Sequence, residues 1–344
     1  MRLKLWINII TFAAIVLVVI FARHDIVQAF QKMQQLNLWV LALMIPGQFF
    51  AFYAVAKVYD SFFKATGSPL PLKTLLPAVV ELNFVNHIFP SAGVSGFSYL
   101  TMRLRRDDVS TAKAALAQLT RFILAFVTFI GLLLVALVLL ALQDQVNRFV
   151  ILLSAALTFT ILFGTLAVAY IIGSEYRIRD FTQGLTRLLN RLIHLFRRSH
   201  PETINLGRVE RTFTELHRDY QLLRQDFGKM KPAVWWALVA NVAEVAVIYV
   251  AFVAHGEWIN PGALIIAYAV ATIAGLVAIL PGGLGVYEPL MAAVLVSSGV
   301  PSGIALSATL VSRVVALVLA LGTGYILYQR AVRRYGTAIS TERQ

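Results

Sequence analysis

Six ionisable side chains interrupt stretches that are otherwise apolar: Glu81, His87, Arg121, Glu244, Glu288 and Arg313. A charged group at the centre of a membrane helix costs about 2.5–3.5 kcal/mol on insertion scales, so each needs a partner or a ligand. Arginine holds phosphate through a planar fork of donors, and a carboxylate balances that charge or takes a cationic group. Together these residues suit binding of a charged headgroup. A fixed salt bridge between one arginine and Glu81, Glu244 or Glu288 accounts for them equally well at this level. His87 reads first as a hydrogen-bond donor at a helix end, and is carried with the other five as a headgroup candidate. Asn83 and Asn86 are expected to bond across helices.

The second chemical feature is a pair of breaks. Pro90-Ser91-Ala92-Gly93 and Pro281-Gly282-Gly283-Leu284-Gly285 each cut an apolar run. Glycines there leave backbone N–H groups free at a helix start, which suits an anion, and they also permit close helix packing. The second break is not a dinucleotide fingerprint, because Glu288 stands where the last glycine belongs and the context is helical. There is no P-loop, no H-E-x-x-H pair, no aspartate-rich cluster and no cysteine. No catalytic residue, metal or cofactor is expected, and the reading is a protein that is not an enzyme.

The elements that must position these groups follow from composition. The 344 residues are 59% hydrophobic and 14% charged, with mean hydropathy +0.75. A soluble domain cannot bury that much apolar surface, so the class is an all-α polytopic membrane protein. The net charge of +13 is assigned to inner loops and anionic lipid rather than nucleic acid. Full spans are expected at Leu5–Ala22 (retained rather than cleaved as a signal), Leu38–Ala56, Ala114–Leu142, Arg148–Ile172, Ala233–Ala254 and Ile304–Tyr328. Between them lie two short apolar pairs, Leu75–Phe89 with Val94–Met102, and Ala263–Leu280 with Gly285–Val296. Each member is shorter than the ~20 residues a crossing helix needs. Each pair therefore reads as a broken re-entrant hairpin, the alternative being two full tilted spans.

Loop charges place both termini in the cytoplasm, so the first hairpin enters from inside and the second from outside. The two also correspond in sequence: 191 positions separate Pro90 from Pro281, Val109 from Val300, Ala114 from Ala305 and Ala117 from Ala308, and 192 separate Arg121 from Arg313. Inverted repeats with broken helices are a transporter signature. The organisation expected is a first membrane half at 1–172 with its hairpin at about 74–102, and a cytoplasmic segment at 173–231. A second half follows at 232–330 with its hairpin at about 263–298, then a tail at 331–344. Within the cytoplasmic segment, Ile178, Phe181, Leu185, Leu188, Leu192 and Phe196 recur at helical spacing among arginines. That pattern at 177–198 suits a basic amphipathic helix on the anionic inner leaflet.

The segments His87-Ile88-Phe89-Pro90-Ser91-Ala92-Gly93-Val94-Ser95-Gly96 and Leu280-Pro281-Gly282-Gly283-Leu284-Gly285-Val286-Tyr287-Glu288 resemble the hallmark stretches of one family. It is the transmembrane region of the lysylphosphatidylglycerol synthases, the multiple peptide resistance factor proteins, and its stand-alone relatives. The resemblance covers nearly the whole chain and extends to Gly299-Val300-Pro301 and Arg313. It implies a membrane domain that moves aminoacylated phosphatidylglycerol between leaflets. The chain has no synthase domain, so lipid aminoacylation is not expected. Tyr287-Glu288-Pro289 stands where relatives often carry a basic residue before the glutamate, and the first motif lacks a Gly-Glu pair that many show. These departures leave another lipid open as the substrate.

The expectation is a flippase-like translocase of the bacterial inner membrane acting on an anionic or aminoacylated phospholipid, or on a polyisoprenoid-linked lipid. The alternative is a non-transporting membrane partner that supplies lipid to a lipid-modifying or glycosyl-transferring enzyme. Partners are then membrane phospholipids or lipid-linked sugars, with a second copy or such an enzyme left open.

Overall fold

The computed structural model describes residues 36–88, 94–142, 148–174, 227–277 and 285–335, with a few isolated positions besides. Helices fill these segments and no strand occurs among the described residues. In chain order they are α1 (Leu38–Ala42), α2 (Met44–Ala65), α3 (Leu72–Ile88), α4 (Val94–Leu104), α5 (Thr111–Ala141) and α6 (Arg148–Ile172). Farther along the chain come α7 (Lys231–Ala254), α8 (Pro261–Val277), α9 (Tyr287–Ser297), α10 (Ser302–Leu319), a π-helical turn (Ala320–Gly324) and α11 (Tyr325–Tyr335). Among the described residues, four continuous helical stretches are long and apolar enough to cross a membrane: Leu38–Ala65, Thr111–Ala141, Gly228–Ala254 and Ser302–Ala331. The expected span Leu5–Ala22, both proline breaks and nearly all of 177–198 lie outside the described residues.

Local chemistry explains where these helices begin and end. Asn37 caps α1 by accepting from the backbone of Trp39 and Val40, and Ser110 caps α5 by accepting from Lys113. The step between α1 and α2 falls where the Pro46 ring would collide with the carbonyl of Ala42, four residues back. Gly67, Gly256 and Gly299 follow helix ends with φ of 70°, 79° and 91°, the left-handed conformation that a helix stop requires.

One boundary differs from the expectation. The second span was expected to end at Ala56, with Lys57 and Lys64 in a loop. Instead α2 runs on to Ala65. The buried Asp60 takes Lys57 at 2.8 Å and Lys64 at 2.9 Å, so one carboxylate serves both lysines along one helical face.

The antiparallel pair α2 and α7 forms the centre of the packing. Asn37 donates to the carbonyl of Ala254, and Tyr53 meets Trp236 edge to face. Gly47 lies so close to Val247 that a Cβ there would stand 2.8 Å from it. Around this pair, α5 and α10 each pack on both α2 and α7. The short arms then pack in order, α3 on α2, α4 on α3 and α5, α8 on α7 and α5, and α9 on α8 and α10. The described parts of α3 and α4 are 17 and 11 residues long, as are those of α8 and α9. Close approach of α8 to α5 depends on Gly262, whose added Cβ would meet the Ala136 carbonyl oxygen at 2.4 Å.

Candidate functional site

Four of the six ionisable candidates gather in two neighbouring places. The first is a cavity of about 190 Å³ between α2, α5, α6, α7 and α8, to which Arg121 and Glu244 both contribute. Arg121, Ala125 and Phe129 face it from successive turns of α5, Asn241 and Glu244 from α7, and Tyr268 and Thr272 from α8. The same spacing of four that buries one stripe of α5 thus aims its arginine inward. Asn241 sets the register, donating at 2.8 Å to both the Ala125 carbonyl and the Thr128 hydroxyl. Glu244 accepts from the amide of Gln48 at 3.3 Å. The Arg121 guanidinium lies against the Tyr59 hydroxyl and by the Phe122 ring, and its charge also reaches Glu244 and Tyr268. Tyr59 in turn donates to Gln118.

The second place is the start of α9. Gly285, at φ 79°, donates its N–H to Glu288 Oε2 at 2.8 Å. Glu288 is buried, and its other oxygen accepts from Arg313 Nε at 3.0 Å. The Arg313 guanidinium also covers the Tyr287 ring at 4.4 Å. Tyr287 links the two places, being within electrostatic reach of Glu244 in the first and of Arg313 and Glu288 in the second.

The remaining two candidates are held differently. Glu81 is buried in the first hairpin, where it accepts from the Tyr99 hydroxyl at 2.6 Å and from Arg103 Nε at 3.1 Å. Both partners belong to α4, so this cluster ties the two arms of the hairpin together. His87 bonds through Nδ1 to the Asn83 carbonyl at 2.8 Å, within its own helix, and feels the charge of Arg313. Asn86 reaches across the hairpin toward Gly96, where a Cβ would stand 2.5 Å from its oxygen. Pro90, Ser91, Gly93, Pro281, Gly282 and Gly283 lie outside the described residues, and Gly285 alone of the break residues is placed.

Sequence reasoning missed Gln48, Tyr59, Tyr99 and Arg103. The first three are polar groups on apolar helices and could have been flagged as such. Arg103 opens the run Arg103-Leu104-Arg105-Arg106, which reads as a basic loop. It is instead 8% exposed and paired.

No curated protein matches the chain. The family model described as the lysylphosphatidylglycerol synthase TM region matches residues 5–324. That match takes in α1 to α10, the cavity, the Glu288–Arg313 pair and both breaks. The chain belongs to the family of lysylphosphatidylglycerol synthase transmembrane regions.

Proposed function

We propose that this multi-pass membrane protein is a flippase-like lipid translocase. Its cargo would be an anionic or aminoacylated phospholipid or a polyisoprenoid-linked lipid. The observation that carries the reading is the cavity itself: a guanidinium and a carboxylate, Arg121 and Glu244, line one open space inside an otherwise apolar bundle. A charge so placed is costly unless it serves a pathway or a ligand. Arg121 would take the phosphate while the acyl chains stay in lipid. Glu288 and Arg313, one bonded pair beside Tyr287, would form a second station that opens when a headgroup replaces the carboxylate.

The packing supports an inverted repeat. Shifting by 191 positions carries α2 onto α7, α3 onto α8, α4 onto α9 and α5 onto α10. Each packing relation of the first set has its counterpart in the second. At the usual helical rise an 11-residue arm is about 17 Å long, well short of a hydrocarbon core of about 30 Å. These lengths support re-entrant hairpins and the loop charges support their entry from opposite sides, which would put α2 and α7 at a pseudo-two-fold axis. Rocking one half against the other would expose the cavity to each leaflet in turn.

The chain has no cysteine, so a single Ala240→Cys on the cavity wall gives a clean probe. Translocation predicts that a membrane-impermeant maleimide labels it from either side of sealed vesicles. Labelling from one side only would favour the non-transporting partner that hands lipid to an enzyme.

A further inference from the structure

The balance of charge in the cavity points to a class of cargo beyond the anionic and aminoacylated lipids. Among the described residues its lining carries one cation, Arg121, and one anion, Glu244, beside the neutral Asn241, Tyr268 and Thr272. The two charges are not in contact: among the described residues no carboxylate lies within ion-pair distance of Arg121. Their separation follows from the register. Asn241 sits level with Ala125 and Thr128. The backbone of Glu244, three residues on, therefore stands about 12 Å farther along the α5 axis than that of Arg121, at 1.5 Å per residue.

A headgroup with only a phosphate would satisfy the arginine and bring a net negative charge against Glu244. In a site walled by Phe122, Phe126 and Phe129 that charge is poorly screened. A headgroup with a phosphate at one end and an ammonium at the other leaves the site neutral and pairs both wall charges. The aromatic faces beside it also favour a cation. Size sets the other limit, since a cavity of about 190 Å³ suits a short link between the two charges better than a full aminoacyl extension.

We infer that the cavity is a site for a small zwitterionic headgroup of the phosphoethanolamine class, with the phosphate on Arg121 and the primary ammonium on Glu244. This rests on the translocase reading for its use but not for its test. Glu244 is a specificity-determining residue on this account, and Arg121 a general phosphate anchor.

The test is calorimetric titration of the full-length protein in detergent with short-chain lipids. The probes are dihexanoyl phosphatidylethanolamine, its N-acetylated form, dihexanoyl phosphatidylglycerol and a lysylated form of the last. The ethanolamine lipid is expected to bind at least ~10-fold more tightly than the other three. Glu244→Gln, which keeps the acceptor for Gln48, is expected to bring the ratio of ethanolamine to N-acetylated lipid close to one. Comparison of the four lipids on the unaltered protein needs no variant to fold. Equal binding of phosphatidylglycerol, tighter binding of the lysylated lipid, no binding of any, or a ratio untouched by Glu244→Gln each overturns the inference. A failed preference with lipid movement intact sinks this inference alone. Intact preference without movement sinks the translocase reading alone.

Discussion

The buried cluster in the first hairpin makes a prediction whose size can be worked from its geometry. Glu81 and Arg103 have side chains only 4% and 8% exposed, joined at 3.1 Å. Their remaining partners differ. Without Arg103, Glu81 keeps one donor, the Tyr99 hydroxyl. Without Glu81, Arg103 keeps Asp107 at 3.5 Å, whose side chain is 31% exposed although the oxygen facing Arg103 is buried. Arg103→Ala therefore strands a buried charge and is expected to cost about 3–5 kcal/mol. Glu81→Ala leaves a charge with an alternative partner and should cost about 1–3 kcal/mol, mostly lost hydrogen bonding. The double change Glu81→Leu with Arg103→Met replaces the pair by apolar groups of similar reach and should fall within about 1 kcal/mol of the original, because both desolvation penalties vanish together. The assay is unfolding of the detergent-solubilised protein in a titration with sodium dodecyl sulfate, followed by tryptophan emission. A cost for Arg103→Ala no greater than for Glu81→Ala, or a double change equal to the sum of the single ones, would refute the reasoning.

Two further predictions concern the contacts of α5 with α8 and α7. Gly262→Ala sets a methyl group 2.4 Å from a backbone oxygen of α5 that cannot rotate away, so α8 must shift. A loss of about 1–3 kcal/mol is expected in the same titration, and an unchanged midpoint would contradict the packing. Asn241→Leu removes two hydrogen bonds of 2.8 Å between α7 and α5. In membrane bundles such bonds average about 0.6 kcal/mol and reach about 1.7, so a modest drop in melting temperature with the fold retained is expected, and a loss of folding would show that Asn241 does more.

Much of this arrangement was legible in the residues. Apolar runs too short to cross, cut at Pro90 and Pro281, marked the two pairs of short helices, α3 with α4 and α8 with α9. The 191-residue correspondence rests on small and apolar positions such as Ala114 and Ala305, which pack closely in both halves because both halves meet the same kind of neighbour. The partners of the charges were not legible. Arg103 and Glu81 lie 22 residues apart on different arms, and nothing in periodicity says that the hairpin turns one toward the other. Arg313 finds Glu288 across 25 residues, whereas its counterpart Arg121 faces a cavity, although the sequence context of the two is alike. The difference comes from the neighbours: α9 presents a carboxylate in its first turn, while α4 presents Phe97, which stacks on Phe122. Lys57 and Lys64 were misplaced for a related reason. A charge on a helix reads as a loop residue unless its compensating partner, here Asp60, is counted with it.

The most direct measurement is lipid movement itself. Purified protein in proteoliposomes, with leaflet-resolved detection of a fluorescent phospholipid labelled on its acyl chain, should accelerate exchange between leaflets relative to protein-free vesicles. The Arg121→Ala, Arg313→Ala double variant, shown to be folded, should lose that acceleration. Movement at the same rate in the folded double variant, or none beyond protein-free vesicles for the unaltered protein, would contradict the account.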